Sequence, residues 1–276
     1  MQPPPLRLTD LPALIWHFTE SNFTTFVLPN TAFAPHASSL FNWTNLLVFD
    51  LANQRLAESI REDHLNKPWR PLPRARITPR QAQHLLLGTI PTTIAISWIL
   101  GVRNESITIG LLCCIYNDLR GGDELARDPI IAVAYSIFLA SSVRIAIGDP
   151  TADLSPTGYK WLGMIAGVIV TTMQIQDLKD QTGDRARGRK TWPLVLGDRV
   201  SRWWIAGWMV FWSVACTAFW GLSGWVVMVP VGLAGWVGCC VLRRTGDAYA
   251  WRWWCVWQVV LYALPVWYCW VGGSLG

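Results

Sequence analysis

A chain of 276 residues that is 52% hydrophobic and only 15% charged, with 19 Trp, falls outside the composition of a soluble domain, which carries roughly 25% charged residues. A formal net charge of +5 and a mean hydropathy of +0.28 exclude an acidic, solvated or disordered chain. Apolar runs near the ~20 residues of a membrane crossing recur instead, so the expectation is an all-α polytopic membrane protein in a lipid bilayer, with no nucleic-acid partner.

The N-terminal MQPPPLRLTDLPALIW has no basic segment leading into a clean apolar core, so residues 1–19 read as a short N-terminal segment and no cleavable signal peptide is expected. Nine spans are predicted, near 20–36, 40–60, 82–100, 106–119, 129–148, 157–178, 201–220, 224–242 and 249–271, forming one domain over 1–276. Pro91, Pro230 and Pro265 fall inside spans, where neighbouring helices satisfy the carbonyls a kink releases. The seven cysteines all lie in apolar segments without zinc-ligand spacing and read as small hydrophobes. The Trp-rich last three spans are expected to face lipid or its interface.

Loop charge tests the count. Residues 61–80, 120–127, 179–202 and 243–252 hold most of the Lys and Arg, and with nine spans all four loops fall on one side. By the positive-inside rule that side is cytosolic, with the N-terminus inside and the C-terminus outside. Three N-x-S/T triplets, at Asn22, Asn42 and Asn104, then lie on the wrong side of the membrane or hug it, and read as chance matches.

Two span ends on the basic side carry the polar residues that point to chemistry. The sixth span closes on QDLKDQTGD, where Asp177, Asp180 and Asp184 are spaced i, i+3, i+7 and share one helix face. Like charges held so closely repel, and a hard divalent cation is what such an array suits. The plainer alternative is a solvated helix end. The second span closes on FDLANQRLAESIREDHLNKPWRP, where Asp50, Asn53, Gln54 and Ala57 form a similar face with fewer charges. Acids at membrane depth are costly and face a cavity or a partner. Two such ends on one side, each followed by a basic loop, weigh against simple helix termini reaching for the interface.

These residues resemble the UbiA-type intramembrane prenyltransferase superfamily. Its second motif, DxxDxxxD, is matched by Asp177, Asp180 and Asp184, with GRKTWPLVLGD at 188–198 as the following segment. Its first motif, NDxxDxxxD, is matched in part: Phe49 replaces Asn, Asp50 fits, Asn53 replaces Asp, and Ala57 stands at the last Asp. NKPWRP at 66–71 fits the basic segment beyond it, and the weakened motif with YNDLRGG at 116–122 looks like the fungal branch of membrane-bound terpene cyclases.

The resemblance implies a nine-transmembrane-helix UbiA-like bundle, in the endoplasmic reticulum with both motif loops cytosolic. It implies an Mg²⁺-dependent enzyme that ionises a prenyl diphosphate, farnesyl or geranylgeranyl, and cyclises it to a terpene. The alternative outcome is prenyl transfer to an aromatic or other acceptor. Asp50, Asn53, Asp177, Asp180 and Asp184 would be the catalytic metal ligands, with Lys67, Arg70, Arg187 and Lys190 on the diphosphate. Tyr116, Asn117, Asp118, Tyr135 and Tyr159 are candidates for the cation-stabilising pocket, with Trp98 and Trp161 beside them. Any one aromatic is as readily an ordinary core residue, and Asn117 and Asp118 also suit a helix end before a glycine turn. No obligate protein partner is evident. A transporter is a different reading, but its acids would spread along a path and not gather at one face. A catalytically dead scaffold is a third, suggested by Phe49, Asn53 and Ala57.

Overall fold

A computed structural model describes residues 8–31, 35–149 and 153–272. Among them every regular element is a helix. In chain order these are α1 (Leu11–Asn22), α2 (Pro35–Gln54), α3 (Ala57–Asn66), α4 (Pro79–Ile99), α5 (Arg103–Asn117) and α6 (Arg127–Ile147). There follow α7 (Pro156–Thr172), α8 (Ile175–Arg187), α9 (Asp198–Phe219), α10 (Trp225–Arg243), α11 (Asp247–Tyr262) and α12 (Leu264–Trp270). Short helical turns cover Phe23–Val27, Leu28–Asn30 and Trp192–Val195.

Every predicted span meets a helix or a pair of helices, with three differences. The first helical stretch starts at Leu11, well before residue 20. The second span is cut at Arg55–Leu56, where Leu56 turns extended (ψ 141°) and α3 restarts, so Ala57 does not continue the Asp50 helix. The sixth is cut at Met173–Gln174, so the three acids sit on a helix of their own. α6 and α10 are the two helices among the described residues that are long and apolar enough to cross a membrane by themselves. The others are broken, short or carry polar residues such as Asn42, Asn45 and Asp50 on α2.

The chain forms two compact units. The first comprises residues 1–124, 141–152 and 182–189, and the second residues 125–140, 153–181 and 190–276. In the first unit α2 is the central helix, packed on α1, α4 and α5. Its apolar core gathers Leu14 and Phe18 of α1, Leu47 and Leu51 of α2, Leu72 and Ile77 of the following loop, and Leu86 of α4. Three prolines keep that loop non-helical, and α4 then starts on a Thr78–Gln81 capping box with Pro79 in its first turn. Buried Asn42 donates to Ser142 Oγ at 3.1 Å, and Asn22 to Asp50 Oδ1 at 2.6 Å, so both asparagines are taken up inside the fold.

In the second unit α9 packs on α7 and α10, and α10 on α11. Arg202 of α9 ties their ends together, donating to both Asp247 oxygens (2.7 and 2.9 Å) and to the Val241 carbonyl (2.8 Å). The expectation of lipid-facing tryptophans requires exposed rings, and Trp203, Trp225, Trp236 and Trp270 are exposed. It fails for Trp254 and Trp257, which are fully buried. Their indole N–H groups reach Thr172 Oγ1 (3.1 Å) and Ser213 Oγ (2.9 Å), which makes burial of these amphipathic rings affordable.

Candidate functional site

Each unit holds part of the residue set singled out by sequence. In the first unit Asp50 is buried near the C-terminal end of α2. Its Oδ1 accepts from Asn22 and its Oδ2 is buried with no hydrogen-bond partner. Asn53, one turn on, donates to Asn117 Oδ1 at 2.8 Å, and Asn117 in turn donates to the Cys113 carbonyl at 3.0 Å. Phe49, at the position of the motif asparagine, packs edge-on against Tyr116 with 5.2 Å between ring centroids. A Cβ on Gly122 would stand 2.5 Å from the Tyr116 ring, so YNDLRGG needs glycine there to seat its own tyrosine. Asp118 is exposed and pairs with Arg55 at 3.0 Å, at the mouth of a groove between α2, α4 and α5.

α3 begins with Glu58 in its first turn. Arg120 donates to that carboxylate at 2.6 Å. The end of α3 receives the C-terminal part of α8. Asn66 Oδ1 accepts from the Gly183 N–H at 3.0 Å. Arg187 Nη1 donates to Ser59 Oγ (2.6 Å) and Glu62 (3.1 Å), and its Nε lies 2.7 Å from Asp123. Arg189 joins Glu62 at 3.0 Å and approaches Asp184 to 3.6 Å. α8 stops at Gly188, whose φ of 82° lets the N–H groups of residues 188 and 189 both close on the Asp184 carbonyl.

Gly183 marks the closest approach, because an added Cβ would sit 2.3 Å from Asn66 Nδ2 and 2.5 Å from its Cγ. Gly183→Ala is expected to cost about 1–3 kcal/mol of stability, the range for overpacking. Thermal unfolding in detergent measures this, and adding Asn66→Ala should recover part of the loss if the clash is its cause.

Arg70 lies buried in the NKPWRP loop. Its Nη1 donates to both oxygens of Asp63 (2.9 and 3.0 Å) and its Nη2 to Ser21 Oγ (3.1 Å). Burial works against its charge, yet the Asp63, Asp50 and Glu62 carboxylates outweigh it and raise its pKa. Of the four cations assigned to a diphosphate, Arg70 and Arg187 are thus held in internal ion pairs. Lys67 is half-buried and Lys190 exposed.

In the second unit Asp177 and Asp180 lie on α8, seven and four residues before Asp184 of the first unit on the same helix. Asp177 is buried and takes Arg127 Nη1 at 2.6 Å, and Asp180 takes Lys179 Nζ at 2.6 Å. Gln174, at the break before α8, donates to Asp128 Oδ2 at 2.7 Å. Tyr135 is buried on α6. Tyr159 is exposed at the start of α7, where its hydroxyl bonds Asp153, so the structure gives it no place in a dry pocket. Trp98 is likewise exposed beneath Arg103, whereas Trp161 is buried among Phe219 and Trp220.

Sequence reading missed Arg127, Arg189, Glu62 and Asn22 as partners of the acidic helices. Arg127 had counted only as loop charge, since nothing in local spacing links residues 127 and 177.

The donor set fits a hard divalent cation in its chemistry. The candidate ligands are carboxylate and amide oxygens, and Asp50 Oδ2 is a buried acceptor that no protein donor fills. Among the described residues no three His, Cys, Asp or Glu side chains come close enough to hold a metal by themselves. Magnesium bound through one or two carboxylates ordinarily completes its shell with water and substrate phosphates.

The UbiA prenyltransferase family model matches residues 48–261. The fumagillin beta-trans-bergamotene synthase af520 of Aspergillus fumigatus is 32% identical over 228 residues, covering 75% of this chain and 74% of that one. Polyprenyl transferase eriF of Hericium erinaceus is 31% identical over 235 residues, covering 80% and 76%. Among solved structures, a UbiA homolog from Archaeoglobus fulgidus bound to DMAPP and Mg²⁺ has a TM-score of 0.63 at 10% identity, covering 91% of this chain and 99% of that one.

Proposed function

The chain belongs to the UbiA prenyltransferase family, and from that premise we propose that it ionises a prenyl diphosphate within a membrane and cyclises the cation to a terpene. The observation that carries this is the pair of acidic helix ends: the Asp177–Asp180–Asp184 face of α8, and Asp50 with its open buried oxygen on α2. Asp50, Asn53, Asp177, Asp180 and Asp184 are the residues that would hold Mg²⁺. The bound ion supplies positive charge to the diphosphate oxygens as negative charge builds on them.

The chain's own residues do the rest. Lys67 and Lys190 meet the diphosphate directly. Arg70 and Arg187 act behind them, fixing Asp63 and Glu62 and thereby α3, the NKPWRP loop and the end of α8. The allylic C–O bond breaks with its electron pair going to the diphosphate, and preorganised charge favours that departure. The remaining cation is sheltered from water beside the Phe49–Tyr116 pair, whose faces stabilise positive charge by roughly 0.5–2 kcal/mol. An internal double bond captures it, and loss of a proton ends the sequence at a hydrocarbon. Cyclisation is favoured over transfer because Phe49 and Asn53 deplete the first motif of metal ligands, with Asn53 bonded to Asn117 and Phe49 packed on Tyr116, and because of the likeness to the bergamotene synthase.

Transfer to an acceptor is the second reading, favoured by the near-equal likeness to eriF. In either case the nine spans lie in the membrane, the endoplasmic reticulum by this reading, with both acidic ends on the cytosolic face.

The test supplies membranes containing the protein with Mg²⁺ and, separately, geranyl, farnesyl and geranylgeranyl diphosphate, with products read by mass spectrometry. A cyclic hydrocarbon from one diphosphate alone, lost on adding EDTA, is the expected result. Consumption only with an aromatic acceptor present establishes transfer, and no consumption under any condition overturns both.

A further inference from the structure

α2 has a second working face. Asp50 points one way, whereas Asn45, Val48 and Ala52 of α2, spaced i, i+3 and i+7, share a face turned away from it, continued by Arg55 just past the helix end, whose N–H still reaches the Leu51 carbonyl. That second face lines a groove of about 420 Å³ whose other walls come from α4 and α5, all within the first unit. Its middle is apolar, formed by Val48, Leu86, Ile90, Ile109 and Cys113. Both ends are polar. At the inner end Ser106 Oγ donates to Asn45 Oδ1 at 2.8 Å beside Thr93. At the outer end Arg55 pairs with Asp118 at 3.0 Å, and Arg55 Nε is buried without a hydrogen-bond partner.

We propose that this groove binds a prenyl alcohol of farnesyl length. The proposal does not depend on the catalytic reading above.

Length, width and charge each select the ligand. Asn45 and Arg55 are ten residues apart, about 15 Å along a helix. An extended carbon chain covers that distance with about a dozen main-chain atoms. The volume lies at the small end of ligand pockets, which run about 300–1,000 Å³. Over that length it is wider than an unbranched alkyl chain fills, and methyl branches supply the missing contact. The rim carries one cation and one anion. A hydroxyl donates to the exposed Asp118 carboxylate, which a neutral headgroup can do without adding charge beside the Arg55–Asp118 pair. A phosphate or carboxylate would meet Asp118 as a like charge.

The groove is addressable because Cys114 lines it and is exposed. The experiment follows alkylation of Cys114 by N-ethylmaleimide in the purified full-length chain, by peptide mass spectrometry. Exposed Cys239 and Cys269 serve as internal controls. Farnesol at ten times its dissociation constant should slow Cys114 alkylation about tenfold and leave the controls unchanged, the mass-action expectation for one site. Dodecanol and farnesyl diphosphate should protect several-fold less.

Gly110 also lines the groove, and a Cβ there meets nothing within 4 Å, so Gly110→Leu fills the space without a clash at its first atom. It should abolish protection while Cys239 labelling stays unchanged. Gly110→Ala, one methyl, should weaken protection by a smaller factor and serves if the leucine variant does not fold. The proposal is overturned by absent protection, by dodecanol protecting as well as farnesol, by the diphosphate protecting better, or by full protection in both Gly110 variants.

Discussion

Asp180→Ala is expected to lower turnover of the prenyl diphosphate at least about 100-fold, the loss typical of removing one preorganised group that stabilises departing charge. Of the three acids on α8 it gives the cleanest substitution. Its side chain is part-exposed, and its partner Lys179 also lies 5.2 Å from the Trp251 ring, so the lysine keeps a second contact. The stability cost should therefore stay within about 1 kcal/mol, as for a partly solvated ion pair. Asp177 differs, because its removal would take the 2.6 Å counter-charge from the buried guanidinium of Arg127 and confuse a folding defect with a chemical one. Turnover and the melting curve of Asp180→Ala, measured on one preparation, separate the two effects. Activity within threefold of the parent chain would remove Asp180 from the site.

Arg70→Ala is expected to cost about 3–5 kcal/mol, the largest stability loss of any single substitution considered. Both oxygens of Asp63 accept from Arg70, and both side chains are almost wholly buried. Deleting the guanidinium leaves a buried carboxylate without its counter-charge and also frees Ser21 of α1. Adding Asp63→Asn removes the stranded charge, so the double substitution should recover much of the loss. Thermal unfolding of the two single variants and the double variant decides it. A double variant no more stable than Arg70→Ala would mean that the arginine acts through packing alone.

The parts of the fold that could be read from sequence are those fixed by local spacing. The acids of α8 share a helix, and the basic loops lie where the prolines and charges of NKPWRP and GRKTWP put them. The break at Arg55–Leu56 escaped notice because no proline or glycine marks it. The first helical stretch starts at Leu11, inside the segment read as a short N-terminal one, and its polar Thr19 is fully buried, its hydroxyl accepting the Trp43 indole N–H at 3.0 Å. Tyr159 and Trp98 were nominated for their ring type alone, and their exposure depends on packing that ring type does not encode. Partners such as Arg127 for Asp177 and Asn22 for Asp50 are joined only by tertiary structure.

Each acid of the α8 face has a cation of the same chain beside it: Arg127 at Asp177, Lys179 at Asp180 and Arg189 near Asp184. The repulsion that three aligned carboxylates would create is therefore already neutralised in the bare polypeptide. Folding of this helix therefore need not wait for an ion from solution. In the proposed cycle the same three side chains would give the acids a resting state between turnovers.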